Sequence, residues 1–118
     1  DISAQDAVEK AIAYVNEHYY EKITLTGIAQ MVGVSSSYFS TIFSRLTGEN
    51  LIAYITRLRI EKAAELIRSG SFSLTETAFM VGYEDYAYFS RIFRKAMGVS
   101  PRDYASNQET EDKKKKSN

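Results

Sequence analysis

The sequence predicts an all-α protein in which two helix-turn-helix subdomains are joined by a long linker helix. Two observations lead to this prediction. The chain contains one helix, turn and helix pattern twice, as "MVGVSSSYFSTIF" over residues 31–43 and as "MVGYEDYAYFSRIF" over residues 80–93. The stretch between the two copies carries apolar residues at helical spacing. The 118 residues, 44% of them apolar, suffice for one ordinary domain or for two small ones that share an element.

Many residues recur between the two copies, and the alignment needs one insertion. The first half of the pattern recurs 49 positions later and the second half recurs 50 positions later, so the second copy has one extra residue in its turn. The residues that recur after 49 positions are Leu25, Thr26, Ala29, Met31, Val32 and Gly33. The residues that recur after 50 positions are Tyr38, Phe39, Ser40, Ile42, Phe43, Gly48 and Tyr54.

Cap residues mark where the first helix of each copy begins. Thr24 and Ser73 precede these helices, and Ser73 forms a capping box with Glu76. The first copy has Gly27 in place of that glutamate. We expect this glycine to weaken the helix by up to about 1 kcal/mol.

The second helix of each copy is amphipathic. Gly33 and Gly82 supply the turn before it, and Ser35 and Asp85 are its caps. Apolar residues then recur at i, i+3 and i+4, so one face of each helix must pack against a core. These residues are Phe39, Ile42 and Phe43 in the first copy and Phe89, Ile92 and Phe93 in the second.

The segment between the copies predicts one helix over about residues 51–68, which ends at Gly70. At about 100° per residue, its apolar residues fall on two roughly opposite sides. One helix of about 27 Å, at about 1.5 Å per residue, therefore serves two cores. The two apolar clusters are Leu51, Tyr54, Ile55 and Leu58, and Ile60, Ala63, Ala64 and Ile67.

The two ends of the chain complete the predicted domain. An alanine-rich amphipathic helix precedes the first copy, with Ser3 as its cap and an apolar stripe that includes Val8 and Val15. Ser100 and Pro101 begin a short last helix, and the remaining residues lack an apolar anchor and predict a disordered tail. The predicted organisation is a domain over residues 1–105, made of a first lobe at about 4–50, the linker helix at about 51–68 and a second lobe at about 73–105, followed by the charged tail at 106–118.

Composition excludes several classes of function. The chain has no cysteine, so disulfides, thiolate nucleophiles and cysteine metal sites are ruled out. Its one histidine, His18, has no second histidine or cysteine with which to share a metal, and we assign it a structural or surface role. No glycine loop that could cradle a phosphate is present, and no cluster of catalytic residues. We therefore expect a protein that is not an enzyme, with no catalytic residues, no metal and no cofactor.

The sequence shows no segment typical of a targeting signal. No apolar run approaches the roughly 20 residues that span a bilayer, and the N-terminus does not resemble a signal peptide. We expect a soluble, cytoplasmic protein with no membrane partner. The chain begins without an initiating methionine, inside an amphipathic pattern, which suggests a piece of a longer protein.

The formal net charge is zero, which on its own argues against a nucleic-acid partner. The charge is unevenly distributed, however. Residues 1–21 sum to −4, residues 22–72 to +3, residues 73–105 to zero and the tail to +1. Because the acid is concentrated in the first helix, a neutral total is compatible with a basic face elsewhere.

The face opposite the apolar residues of each second helix is small, polar or cationic. Such a face fits a major groove, which is about 12 Å wide. Arg91 could fork onto guanine O6 and N7, and Ala87 or the Thr41 methyl group could meet a thymine methyl group. The residues on these faces are Ser36, Ser37, Ser40, Thr41 and Ser44 in the first copy, and Tyr86, Ala87, Ser90, Arg91 and Arg94 in the second.

A second set of residues is expected to meet phosphates, which position a protein on DNA without reading its sequence. Arg45, Arg94 and Lys95 lie toward the ends of the second helices, where phosphate contacts are more natural than base contacts. The predicted phosphate contacts are Thr24, Ser44, Arg45, Ser73, Arg94 and Lys95.

These residues resemble the DNA-binding domain of the AraC/XylS family of bacterial transcription regulators. The resemblance runs from about Ile23 to Tyr104, and the helix before it is included in the family's fold. Its most specific text is "TAFMVGYEDYAYFSRIFRKAMGVSPRDY". There a glycine, an acidic cap, "YFSRIFRK", a second glycine and "SP" follow one another in family order and spacing.

The resemblance implies about seven helices, with recognition helices that reach adjacent major grooves on one face of double-stranded DNA. It implies an activator that contacts RNA polymerase, with a sensor or receiver domain in a separate N-terminal part. Family members often carry larger polar or cationic side chains in the first recognition helix, so we expect weaker base discrimination there. The implied base-facing positions are Ser36, Ser37, Ser40, Thr41, Tyr86, Ala87, Ser90 and Arg91.

An alternative stays open at this point, namely a protein-interaction module that keeps the fold without binding DNA. The zero net charge and the serine-rich first recognition helix motivate it. Steep salt dependence of binding would separate the two, because phosphate neutralisation releases counterions. No dimer seam is evident, and we expect the isolated domain to be a monomer.

The nine tyrosines also suggest stacking on single-stranded bases. Most of them fall in patterned or repeated positions, including Tyr38 and Tyr88 beside the core phenylalanines, so packing is the favoured interpretation. Tyr86 is the expected exception, because it projects from the start of the second recognition helix.

Overall fold

The computed structural model describes residues 3–117, and the side chains of residues 3–115. Seven α-helices and no strand occur in this part of the chain, which confirms the all-α prediction. Expectations for residues 1, 2 and 118 lie outside the described residues. The helices are α1 (Ala4–His18), α2 (Leu25–Val32), α3 (Ser36–Thr47), α4 (Leu51–Ser69), α5 (Leu74–Met80), α6 (Tyr86–Met97) and α7 (Pro101–Ser117).

The described residues form two compact units, the first ending at Leu58 and the second beginning at Arg59. This boundary falls inside α4, so one helix supplies side chains to both units, as its two apolar clusters predicted. Leu51 and Ile55 belong to the buried core of the first unit. The buried residues that α4 gives to the second unit are Ile60, Ala63, Ala64 and Ile67.

Aromatic rings form the centre of the first unit. Phe39 and Phe43 are four residues apart on α3, and their ring centroids lie 5.5 Å from each other. The Tyr54 ring on α4 meets Phe43 edge-on, at 5.5 Å and an interplanar angle of 87°. Such edge-to-face pairs contribute about 0.5–1.5 kcal/mol beyond the area they bury. The contact joins α3 to the helix that follows it.

The second unit repeats this arrangement with the residues found 50 positions later. The ring centroids of Phe89 and Phe93 on α6 lie 5.7 Å apart, and Tyr104 on α7 meets Phe93 at 5.6 Å and 67°. The Tyr104 hydroxyl also accepts a hydrogen bond from the Arg68 guanidinium at 2.6 Å. The sequence repeat therefore corresponds to a repeated core.

The turn inside each copy is closed by the same backbone hydrogen bond. The Val34 N–H donates to the Ala29 carbonyl at 3.0 Å, and the Tyr83 N–H donates to the Ala78 carbonyl at 2.9 Å. Gly33 makes the first turn possible with a φ of 82°, in the left-handed region that favours glycine. The extra residue of the second copy, Glu84, follows this shared turn.

The expectation of a disordered tail at residues 106–118 is wrong for the described residues. Helix α7 continues through Ser117. The Ser100 hydroxyl accepts from the Asp103 N–H at 3.1 Å, as the predicted cap requires. Glutamate and lysine are favourable helix formers, and they recur at i and i+4 as Glu109 with Lys113 and Glu111 with Lys115. Local helix propensity therefore extends the helix where no apolar stripe exists.

The N-terminal caps of α2 and α5 differ between the copies. The Thr24 hydroxyl accepts from the Gly27 N–H at 3.0 Å, and a Cβ atom added at Gly27 would lie only 2.9 Å from that oxygen. In the second copy the Ser73 hydroxyl accepts from the Glu76 N–H at 3.0 Å, while the Glu76 carboxylate accepts from the Ser73 N–H at 2.9 Å. Hydrogen bonding to Ser73, first to its backbone N–H and then to its side chain, holds the pKa of the Glu76 carboxyl below its ordinary value.

Replacing Gly27 by alanine tests whether the glycine serves the Thr24 cap. In the native chain, Gly27→Ala should change the free energy of unfolding of the first unit little. The helix gains about 0.5–1 kcal/mol from the substitution but loses a cap of about 1 kcal/mol. In a Thr24→Ala background the same substitution should stabilise by about 0.5–1 kcal/mol, because the clash is absent. Amide hydrogen exchange of α2 measures both effects, and equal effects in the two backgrounds would contradict the interpretation.

The capping box of α5 should give that helix a pH dependence. Because the folded-state pKa of Glu76 is lowered, its stabilising contribution is complete above about pH 4.5 and is lost as the pH falls through the lowered pKa. Glu76→Gln should remove this dependence from the hydrogen-exchange protection of the α5 amides. Glu65→Gln, which removes an exposed carboxylate from α4, controls for net charge and should leave the pH profile unchanged.

Candidate nucleic-acid interface

The second helices of the two copies, α3 and α6, have matching starts, lengths and ends. The Ser35 hydroxyl accepts from the Tyr38 N–H at 3.1 Å, and one Asp85 carboxylate oxygen accepts from the N–H groups of Ala87 and Tyr88 at 2.9 and 3.3 Å. Both helices contain 12 residues. Each then ends at a glycine of positive φ, and the hydrogen bonds to Ser35 and Asp85 confirm the two predicted caps.

Burial fixes which face of each helix meets solvent. Phe39, Ile42 and Phe43 of α3 are almost completely buried, as are Phe89 and Phe93 of α6, while Ile92 is half-buried. The predicted base-facing residues lie beside or opposite this buried stripe. Four of these are exposed, namely Ser37, Thr41, Ala87 and Arg91, and four are half-buried, namely Ser36, Ser40, Tyr86 and Ser90.

Hydrogen bonding limits what the first recognition helix can offer. The Thr41 hydroxyl donates to the Ser37 carbonyl of its own helix at 3.0 Å. While it does so, this oxygen is available to a base only as an acceptor. The exposed face of α3 therefore offers short hydroxyl groups, one of which already has its proton engaged.

The second recognition helix differs in the reach of its side chains. Arg91 is exposed at the position that corresponds to Thr41 after 50 residues. Its guanidinium carbon lies 5.8 Å from the centroid of the Tyr88 ring. Tyr86 was expected to be the tyrosine that packing does not explain, but it is half-buried and its ring centroid lies 5.9 Å from that of the core residue Phe89. The long cationic side chain of this face is therefore supported by an aromatic ring.

The residues predicted to meet phosphates fall into two groups. Arg45, Arg94 and Lys95 are exposed in or near the last turns of α3 and α6. The hydroxyl groups form the second group, in which Ser44 is half-buried on α3 and Thr24 and Ser73 cap the helices α2 and α5. Within this second group, Ser73 is bonded to the Glu76 carboxylate, which would repel a phosphate.

Charge on the two recognition helices is entirely positive. Within residues 36–47 and 86–97 there are four cationic side chains and no acidic one. The acidic residues next to these helices in sequence are Glu49, which is paired with Arg57, Glu84, and the cap Asp85, whose carboxylate is engaged by two backbone N–H groups. A chain of zero net charge thus contains two helices that are attractive to a polyanion.

Two tyrosines are more exposed than the repeat had suggested. Tyr38 and Tyr88 are 49% and 47% exposed, so core packing accounts for only part of these side chains. Each immediately precedes a core phenylalanine, and a step of about 100° carries it off the buried stripe. The helical angle, rather than the match between the copies, was the signal that indicated exposure.

The described residues also bear on other kinds of site. No group of three or more histidine, aspartate or glutamate residues in residues 3–117 is arranged to hold a metal ion. His18 is paired with Glu21, and its ring stacks on Tyr14 at 4.3 Å, which fits the structural role assigned to it. Over the same part of the chain, no helix has both the length and the apolarity that crossing a membrane requires.

Known proteins have similar sequences. Residues 28–107 match the family described as "Helix-turn-helix domain". The HTH-type transcriptional activator Btr of Bacillus subtilis (strain 168) is 42% identical over 86 residues, which cover 73% of this chain and 16% of Btr. The chain therefore spans only about a sixth of the length of that relative.

Solved structures share the fold, and one of them is also close in sequence. The C-terminal domain of AraT, a response regulator from Geobacillus stearothermophilus, has a TM-score of 0.82 at 38% identity, over 86% of this chain and 84% of that one. The DNA-binding domain of the global transcriptional factor AdpA, solved with a target DNA, has a TM-score of 0.84 over 89% of this chain and 95% of that one. At 23% identity, this second likeness shows the fold alone. With the family match and the identity to Btr and AraT, the chain belongs to the AraC/XylS family of bacterial transcription regulators, as a helix-turn-helix DNA-binding domain of that family.

Proposed function

We propose that this chain is the output domain of a bacterial transcription regulator and reads double-stranded DNA with α3 and α6 in adjacent major grooves. One observation carries the proposal. Each recognition helix buries its phenylalanine face and exposes a polar or cationic face that contains no acidic residue. A helix with these two faces can enter the major groove while its core packing stays intact.

Base reading is proposed for the eight predicted base-facing residues, of which four are exposed and four are half-buried. Arg91 is suited to a bidentate contact with guanine O6 and N7, which typically contributes about 1–3 kcal/mol of discrimination. Ala87 offers a methyl group to thymine, and Thr41 offers its methyl group and an acceptor oxygen. The other proposed base-facing residues are Ser36, Ser37, Ser40, Tyr86 and Ser90.

Phosphate contacts are proposed to set the position of each unit on the duplex. Arg45, Arg94 and Lys95 are the strongest candidates, because their charges are exposed at the ends of the recognition helices. Thr24 and Ser44 are proposed with them as hydroxyl donors. Ser73 remains a weaker proposal, because the Glu76 carboxylate lies beside it.

The regulator as a whole is proposed to be larger than this chain. Btr is named as a transcriptional activator and AraT as a response regulator, and the chain covers 16% of Btr. We propose that a sensor or receiver domain precedes this one and that the protein activates transcription by contacting RNA polymerase in the bacterial cytoplasm. Its own role there is binding rather than catalysis, and the isolated domain is proposed to be a monomer.

Selection of binding sites from random duplex DNA tests the proposal. At fixed moderate salt, we expect an enriched motif with two half-sites about 10 base pairs apart, which is about one turn of DNA. The affinity for that site should fall steeply as salt is raised, because phosphate contacts release counterions. Absence of an enriched motif would contradict sequence-specific reading.

Two arginine substitutions should separate base contacts from phosphate contacts. Arg91→Ala should relax the preference at one base pair by about 1–3 kcal/mol. Arg94→Ala should weaken binding to all sequences alike and lower the salt slope by about one phosphate contact. Lys10→Ala on α1 removes an exposed cation outside the proposed interface and should change neither quantity. Equal effects of Arg91→Ala and Arg94→Ala on specificity would contradict the assignment.

A protein-interaction module is the second candidate function, and one observation favours it. Phe79 on α5 is 72% exposed, whereas the corresponding residue of the first copy, 49 positions earlier, is Gln30. The fold therefore does not require a phenylalanine at this position. Binding of duplex DNA with little salt dependence and no enriched motif would favour this candidate over the first.

A further inference from the structure

We infer that Tyr88 is a positioning residue for Arg91, holding the guanidinium in place for base reading and making the second recognition helix the more selective of the two. The inference rests on the proposed function, in which Arg91 meets a base. It assigns to Tyr88 a role that acts through Arg91 and not through a contact of its own with a base.

The contact between the two side chains lies within one helix turn. Tyr88 and Arg91 are three residues apart on α6, so their side chains are neighbours on the helix surface. The guanidinium carbon of Arg91 is 5.8 Å from the Tyr88 ring centroid, within the distance of about 6 Å at which a cation is attracted to a ring face. Arg91 therefore has a preferred place beside the ring before DNA arrives.

The ring of Tyr88 is itself held from the protein side. Its centroid lies 5.9 Å from that of Tyr83, which is a buried residue, and the two rings are tilted by 55°. Tyr83 in turn lies beneath the guanidinium of Arg59 on α4, whose carbon is 5.1 Å from its ring centroid. The backbone N–H of Tyr88 also donates to the Asp85 cap. The Tyr88 ring is thus supported from the protein side by a buried ring.

The first recognition helix provides an internal comparison. Tyr38 occupies the position that corresponds to Tyr88, and it is exposed to nearly the same extent. Val34 stands where the second unit has Tyr83, and Thr41 stands where it has Arg91. The first unit thus has the exposed tyrosine without the aromatic support beneath it and without the cation above it. The same tyrosine therefore has a positioning role in one unit only.

Holding Arg91 in place matters because an arginine side chain has many rotamers to lose on binding. A side chain already confined near its bound position loses less conformational entropy when it meets a base. The gain applies most to the base pair whose edge accepts the guanidinium fork, so it should appear as discrimination at that base pair. An exposed cation–π contact corresponds to a factor of about two to five in an equilibrium constant.

The test compares Tyr88→Leu and Tyr88→Phe on the site selected by the native chain. Arg91→Ala first identifies the base pair that Arg91 reads. At that base pair, Tyr88→Leu should lower the ratio of affinities for the preferred and the other bases about two- to fivefold. Tyr88→Phe keeps the ring and should retain the native ratio. Tyr38→Leu is the matched control in the first unit and should leave this ratio unchanged.

A double-mutant cycle separates positioning from a structural role. If Tyr88 acts through Arg91, then Tyr88→Leu should not alter discrimination at that base pair in an Arg91→Ala background. A loss spread equally over all base pairs, or a loss in Tyr88→Phe as large as in Tyr88→Leu, would overturn the inference. The second result would assign the effect to the tyrosine hydroxyl.

The proposed function and the inference fail in distinguishable ways. If Arg91→Ala relaxes no base pair, Arg91 does not read sequence, and both its proposed role and the inference are overturned. If Arg91→Ala relaxes a base pair but folded Tyr88→Leu does not, only the inference is overturned. Should Tyr88→Leu fail to fold, NMR of the native chain decides. The Arg91 δ protons should then be shifted upfield by the ring relative to those of Arg94, and equal shifts would overturn the inference.

Discussion

Pairs of phenylalanines four residues apart anchor each recognition helix, and the interface depends on their burial. Phe39 and Phe43 in α3, like Phe89 and Phe93 in α6, have no solvent exposure. A helix with one buried stripe has one face left for solvent, so the rings determine which side chains are presented. The edge-on contacts with Tyr54 and Tyr104 then tie each recognition helix to the helix that follows it. Core packing therefore sets the rotation of each recognition helix about its own axis. The exposed residues can vary without altering the fold.

The same constraint explains how α3 and α6 can share one pattern of core contacts and still expose different side chains. Ring contacts recur almost unchanged after 50 positions, whereas several of the exposed residues beside them differ between the copies. Where α3 presents Thr41, bonded to its own helix, α6 presents Arg91 beside an aromatic ring. A threonine oxygen reaches a short distance and accepts, while a guanidinium reaches further and donates through a rigid fork. The two helices have equal lengths and different exposed side chains, because the core leaves the chemistry of these positions free.

Local signals predicted most of the fold, because caps, turns and helical stripes act over a few residues. The sequence predicted the caps at Ser35 and Asp85 and the positions of the buried rings. The extension of α7 was not, since a solvated helix formed by propensity and i, i+4 charge pairs has no apolar stripe to reveal it. The exposure of Tyr38 and Tyr88 was misjudged because matching residues can recur for packing or for surface reasons alike. The stack of Arg59 on Tyr83 joins residues 24 positions apart, and no local pattern specifies such a contact.

Net charge was the least informative of the global quantities, and the structure shows why. Charges separated by more than about 8–10 Å are largely screened at physiological salt, so a binding surface responds to the charges within it and not to the total. The acidic residues of α1 lie on another helix, and Asp85, at the start of α6, is engaged by two backbone N–H groups. The positive end of the helix dipole offsets part of that carboxylate's charge, while Arg94 and Lys95 stand in the last turn, where cations are favoured. The same placement that stabilises α6 as a helix therefore concentrates positive charge on the element that would lie in the groove, and helix stability and attraction to DNA reinforce each other.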